Sequence, residues 1–383
     1  MSDDVERLYD QLIGAAGLRG QRAVIRIGAT YRPAGGDGSK VHPPTFPLSD
    51  GQPYLLEERL VDGRTRSDVL LDSAPSQANR AEAALLRARR AGLIDVPLLE
   101  LRHVGAAQVV LTSLEFPHRY ADAYVRDSLL DGERFDRTEL GKALQGACLD
   151  DASAVYRHDP GSLVFGAWNS HRSGRQAKFP RVYASEVVGW DPQAGRRNAG
   201  RMDPLNLVGA VRRNGTDWSY LPLPDKARSD KLSAIGHGNI APNAAAGGVT
   251  ISSATRLATL SFAGLNRIGF GATNPAAADA ARAVLAAYAL LADRLAFGGP
   301  SLWLRSGCEL ICADERIEWV SRGGVTEPVP LDPSGAQQLF AHAVDRAAEA
   351  GLPLAEGTIT LTPSPPLAEA IDFALTKVPA GER

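Results

Sequence analysis

A chain of 383 residues, 44% of them hydrophobic and 22% charged, can bury a sizeable core as one large elaborated domain or two ordinary ones, which excludes a disordered chain. The longest Ala/Leu-rich segment, Ala276 to Phe297, is broken by Asp279, Arg282, Asp293 and Arg294, so a membrane span is excluded and a soluble, cytoplasmic protein with no membrane partner is expected. The net charge of -2 conceals an uneven distribution: His171 to Arg256 holds 13 Lys/Arg against 6 Asp/Glu, whereas Ser301 to Arg383 holds 6 against 12.

Local potential, not net charge, decides phosphate binding, so this polarity suits a polyanion on one face; an ordinary solvated surface is the alternative. Of the 42 basic residues 36 are arginines, an excess that a GC-rich genome also produces, although Arg suits bidentate phosphate contacts. Cys148, Cys308 and Cys312 are too few and too irregularly spaced for a disulfide framework or a four-ligand zinc site, and read as packing residues.

In chain order, QRAVIRIGAT predicts a first strand, and the Gly/Pro/Asp-rich stretch after it contains a hairpin around YLLEERLVDGRTR. A helix follows, with Ser73 or Ala74 at its cap, Pro75 at its first position and Gly92 just past its end. Leu98 to Leu149 reads as mostly helical with one short strand near Val109 to Leu114. SLVFGAW and RVYASEVVGW read as two strands separated by a basic loop. Asp191 to Gly248 has little periodicity and is too basic and glycine-rich to form its own core. VTISSATRLATLSF reads as a strand, Asn274-Pro275 starts a helix ending at Gly298, LWLRSGCELICA is one strand, Asp332-Pro333 starts a further helix, and TITLT is a last strand.

Without its insertions the order is strand 22–31, helix 75–91, strand 181–190, strand 249–262, helix 275–297, strand 302–313. This predicts an α+β fold of βαββαβ order, ferredoxin-like or RNA-recognition-motif-like.

Signatures of catalysis are missing: no GxxxxGK[ST], GxSxG or HExxH occurs, and the glycine pairs lack a strand-turn-helix setting. His118 and Asp122, four apart, could share a helix face as metal ligands, but no third ligand is evident. No catalytic residue, metal or cofactor is expected. Phosphate binding is better supported. In DSAPSQANR, Ser76, Asn79 and Arg80 fall on one face of the first helical turn, where free N–H groups and the helix dipole favour an anion, and Arg87 continues the stripe. HRSGRQAKFPR places Arg172, Arg175, Lys178 and Arg181 in eleven residues with no acid. Its glycine lets backbone approach phosphates while long side chains reach around them. Aromatics do not interleave with this run, so the expected recognition is of a backbone rather than of bases.

VLLDSAPSQANRAEAAL, GSLVFGAWNSH and GRQAKFPRVYASEVVGWD together resemble the backbone subunit of the type I-G (formerly I-U) CRISPR Cascade complex, in the Cas-seven group of the RAMP superfamily, from about Arg22 to about Leu260. The resemblance implies a single RNA-recognition-motif palm over 1–383, with a web insertion at 32–70, finger-like insertion at 98–178 and thumb-like insertion at 191–248. It implies CRISPR RNA as ligand, target DNA reached through guide pairing, and further copies and other Cascade subunits as partners. Lys40, Ser76, Gln77, Asn79, Arg80, Arg172, Arg175, Gln176, Lys178 and Arg181 are the expected phosphate or ribose contacts, with His237 and Asn239 as thumb–base contacts. Two enzymatic alternatives remain: target-RNA cleavage of the type III kind, using Asp203, Asp217, Asp225 or Asp230, and CRISPR RNA processing by an isolated histidine.

Overall fold

The computed structural model describes residues 3–17, 20–47, 53–169, 177–196, 200–214, 217–222, 229–241, 246–305 and 307–376. It opens with a helix that the sequence reading passed over, α1 (Asp3–Ala16), whose Val5, Leu8, Tyr9 and Leu12 are buried at helical spacing. Strand β1 (Arg22–Pro33) alternates strictly: Ile25, Ile27, Ala29 and Tyr31 point into the core, and Arg26 and Arg32 point out. The expected hairpin is β2 (Leu56–Val61) and β3 (Arg64–Asp72), turned by Asp62 and Gly63 with positive φ. Helix α2 (Ala74–Arg90) has Pro75 in its first turn and ends before Gly92, whose φ of 70° stops it.

The next segment departs from the helical reading. Leu98 to Val104 is strand β4, paired with β5 (Gln108–Thr112), because Leu98, Leu99 and Leu101 bury themselves in a second sheet. SLVFGAW is not one strand: Pro160–Phe165 is helical, and only β6 (Ala167–Asn169) is extended, pairing with β7 (Ala177–Phe179). Strand β8 (Tyr183–Trp190) follows.

The 191–248 range is also more ordered than expected. Gln193–Ala194 pairs with Val249–Thr250 at its root, and β9 (Ala210–Asn214), β10 (Asp217–Leu221) and Asp230–Lys231 form a three-stranded sheet. Ala210, Val211 and Leu232 are buried there, so a few apolar side chains suffice for a small core.

Strand β11 (Ser253–Ser261) leads to α3 (Pro275–Phe297), which Asn274 caps by accepting the Ala277 N–H at 2.8 Å. LWLRSGCELICA is a hairpin rather than one strand, β12 (Ser301–Arg305) turning at Gly307 into β13 (Cys308–Ser321). Helix α4 (Pro333–Glu349), strand β14 (Thr358–Pro363) and helix α5 (Pro365–Thr376) complete the described chain.

The main sheet runs β12–β13–β1–β11–β8–β3–β2, with every neighbouring pair antiparallel. The inward residues of its central strands share one core with α1, α2, α3 and α4. Helix α3, alanine-rich and buried along most of its length, lies against all three other helices, because small side chains permit close approach. A second sheet, β5–β4–β14 with Ser128–Leu130 and Glu133–Arg134, takes its central strand from the acidic C-terminal third. The protein is therefore a mixed α+β fold of curled, largely antiparallel sheets.

A fully buried polar network ties α2 and α3 to the sheet. Arg256 on β11 contacts Asp293 and donates to the Tyr183 hydroxyl at 2.6 Å and to Gln77 Oε1 at 3.1 Å, while Asp293 also takes Arg294 Nε at 2.9 Å. Flanking arginines hold the Asp293 carboxyl below the usual range despite its burial.

Candidate nucleic-acid interface

The start of α2 places Ser76, Asn79, Arg80 and Arg87 on one face, as the i, i+3, i+4 spacing requires. With Ser301 and Trp303 of β12 they line an open groove of about 350 Å³. Asn79 and Arg87 are exposed. Ser76 and Arg80 are partly committed to the protein. Buried Asp72 accepts Ser76 Oγ at 2.6 Å and Arg80 Nε at 2.8 Å, and the Arg80 Nη atoms donate to the Trp303 and Leu304 carbonyls at 3.0 and 2.6 Å. Arg80 thus fastens the edge strand to the helix and keeps only part of its donor capacity for a ligand.

Gln77 is a correction. It has no exposed surface; its amide nitrogen donates to Asp72 and its oxygen accepts from Ser185 and Arg256. Residue 77 falls on the inward side of a helix whose opposite face carries residues 76, 79, 80 and 87, so it is a buried core residue.

The basic hairpin is the second group. Arg172, Arg175 and Gln176 lie outside the described residues. The stem is described: Ala167 pairs with Phe179 and Trp168 with Lys178. Ala167 and Phe179 face inward and are buried, so period-2 alternation turns Trp168 and Lys178 outward, with Lys178 Nζ 5.8 Å from the centre of the Trp168 ring. Arg181 is exposed and donates to the Phe165 carbonyl at 3.3 Å. At Gly166, with φ of 86°, a Cβ would meet Arg181 and the Phe179 carbonyl within 3.0 to 3.1 Å, so the stem root requires glycine.

Arg119 connects these two groups. Its Nε and Nη2 donate to the two oxygens of Glu82 on α2 at 2.6 and 3.0 Å, and its Nη1 donates to the Gly166 carbonyl at 2.7 Å. Burial pushes the Glu82 carboxyl up to about 7, opposed by Arg119. Nearby Asp159, which accepts the Tyr120 N–H and the Ser162 hydroxyl, is pushed up to about 6, again by burial.

The remaining expected contacts stand apart. Lys40 is exposed and donates to the Arg196 carbonyl at 2.8 Å, joining the loop after β1 to the root of the 191–248 segment. His237 is exposed, its ring 5.8 Å from that of Trp218. Asn239 is exposed too, but its side chain accepts the Asp203 N–H at 2.7 Å and donates to Asn206 at 2.6 Å, which makes it a local brace. Asp203 is clasped by the Leu205 and Gly238 N–H groups, which hold its carboxyl below the usual range. Asp230 lies 3.4 Å from Arg213, Asp217 is exposed at a hairpin turn, and Asp225 is outside the described residues.

Asp122 caps a short helix through the Tyr124 N–H and takes the His118 N–H with its other oxygen. Among the described residues no group of three His, Cys, Asp or Glu converges on a metal position, and no helix is long and apolar enough to cross a membrane. Sequence reasoning missed the exposed tryptophans. Trp168, Trp218 and Trp303 are all exposed, and only Trp190 and Trp319 are buried.

Among the described residues, Ser76, Asn79, Arg80 and Arg87 lie along one face of one helix of an α+β fold, and Lys178 and Arg181 are exposed on and just after one short hairpin. A family model described as CRISPR-associated protein GSU0053 matches residues 25–193, the span from β1 through β8 that holds both groups. The match supports a CRISPR-associated, Cascade-backbone-like protein, in agreement with the resemblance carried by SQANR and QAKFPR. The chain matches no curated protein.

Proposed function

We propose that the chain is a CRISPR RNA-binding backbone subunit, not an enzyme, that stacks in several copies along the guide RNA of a type I-G Cascade complex in the cytoplasm. The observation that carries this reading is the hairpin stem: Lys178 and Arg181 are both exposed on an acid-free segment inside the matched family span. The sheet supports it as well. Within the βαββαβ order, β13, β1, β11 and β8 are the fourth, first, third and second strands, the arrangement of an RNA-recognition-motif palm. Segments 98–178 and 191–248 then act as fingers and thumb, and 32–70 as the web.

A subunit that repeats along a guide must hold any spacer sequence. Cationic side chains and helix N–H groups grip phosphates irrespective of sequence, leaving base edges free to pair with target DNA. Near-neutral net charge limits repulsion between stacked copies. Head-to-tail stacking on a polymer is heterologous and need not close, so guide RNA drives formation of elongated particles. Size-exclusion chromatography with light scattering, with and without guide RNA, tests this: particle mass should grow with RNA length, and a closed ring of fixed mass in both conditions would refute it.

A further inference from the structure

Resting on that reading, we infer that Trp168 is a stacking platform for a nucleobase of the bound single-stranded RNA, so that the hairpin holds a base by its face as well as phosphates by their charge. The side chain is 54% exposed although a tryptophan gains more than almost any residue from burial. Nothing in the stem leaves it free to fold back. Its strand neighbour Ala167 and the cross-strand Phe179 are buried, Phe179 lying 6.3 Å from the Tyr120 ring, and this pair fixes the opposite face of the ribbon, with Trp168 and Lys178, toward solvent. Lys178 Nζ stands 5.8 Å from the indole centre, and the exposed Arg181 lies three residues further on.

An aromatic face with a lysine ammonium beside it, at the foot of a loop whose sequence carries no acid, fits a nucleotide, whose base stacks while its phosphate pairs with the ammonium. Every base has a π face, so stacking tolerates any sequence and leaves the pairing edge of the base untouched. This is compatible with a guide that must still read target DNA.

The test compares the full chain with Trp168→Ala, Trp168→Phe and Lys178→Ala in titrations of a labelled oligoadenylate and of an abasic ribose–phosphate polymer of equal length. Trp168→Ala should weaken oligoadenylate binding roughly ten-fold and leave the abasic polymer unaffected, with Trp168→Phe retaining most of the affinity. Lys178→Ala should weaken both polymers alike. If Trp168→Ala changes neither polymer, or both equally, the stacking role is overturned and the indole belongs to a protein neighbour, while the RNA-binding reading stands. If the unmodified chain binds neither polymer, the underlying reading falls, and the stacking role with it.

Discussion

Arg119 holds Glu82 in a two-point ion pair, Nε and Nη2 at 2.6 and 3.0 Å from the carboxylate oxygens, with both side chains almost wholly buried. Arg119 adopts a φ of 54°, unusual for a residue with a side chain, and the pair together with its bond to Gly166 compensates for that strain. The link couples α2 to the root of the basic hairpin. Arg119→Ala leaves a buried carboxylate without its partner, and should cost about 3–5 kcal/mol in urea unfolding at pH 8. The double variant Arg119→Met with Glu82→Met should recover much of the loss, because apolar packing replaces two desolvated charges.

The same pocket sets a pH dependence. Glu82 is raised to about 7 and Asp159 to about 6, both above their unfolded values, so between roughly pH 4 and pH 7 the folded state binds more protons than the unfolded one. Stability from these groups is therefore fully present below about pH 4 and is lost as pH rises through the folded values. The decline from Glu82 should be on the order of 1–3 kcal/mol. Urea midpoints measured from pH 5 to pH 8 should fall, and Glu82→Gln should flatten the slope.

Gln77 and Asn79 are two residues apart on α2 and should behave oppositely. Gln77→Ala leaves Asp72, Ser185 and Arg256 short of a partner in the core, and should lower stability by about 1–3 kcal/mol without changing guide affinity per folded molecule. Asn79→Ala, on the exposed side, should leave the unfolding midpoint within about 0.5 kcal/mol of its original value while weakening guide binding. Equal loss of affinity in both variants would mean that α2 positions the ligand indirectly.

The sequence made α2 and α3 easy to read, since Pro75 and Asn274-Pro275 mark their starts and Gly92 and Gly298 their ends. It could not show which face of α2 turns inward. Ser76, Gln77, Asn79 and Arg80 are all polar, and only the tertiary fold puts residue 77 against Arg256. The strand Leu98–Val104 was hidden for a related reason: its partner Thr358–Pro363 lies more than two hundred residues away, and an apolar run alone does not distinguish a buried strand from a helix. LWLRSGCELICA concealed a turn because its apolar residues continue on both sides of Gly307. The outward position of Trp168 depends on a cross-strand register that no local pattern specifies.

The claim that this surface grips an RNA backbone irrespective of sequence is tested most directly by the salt dependence of guide binding. Two unrelated guides of equal length are titrated against the unmodified chain and the triple variant Arg172→Ala, Arg175→Ala, Lys178→Ala across a range of salt concentrations. Both guides should weaken alike in the variant, and the log–log slope should shrink by about 0.7 for each phosphate that a bound subunit no longer neutralises. A weakening confined to one guide, or an unchanged slope, would contradict the account.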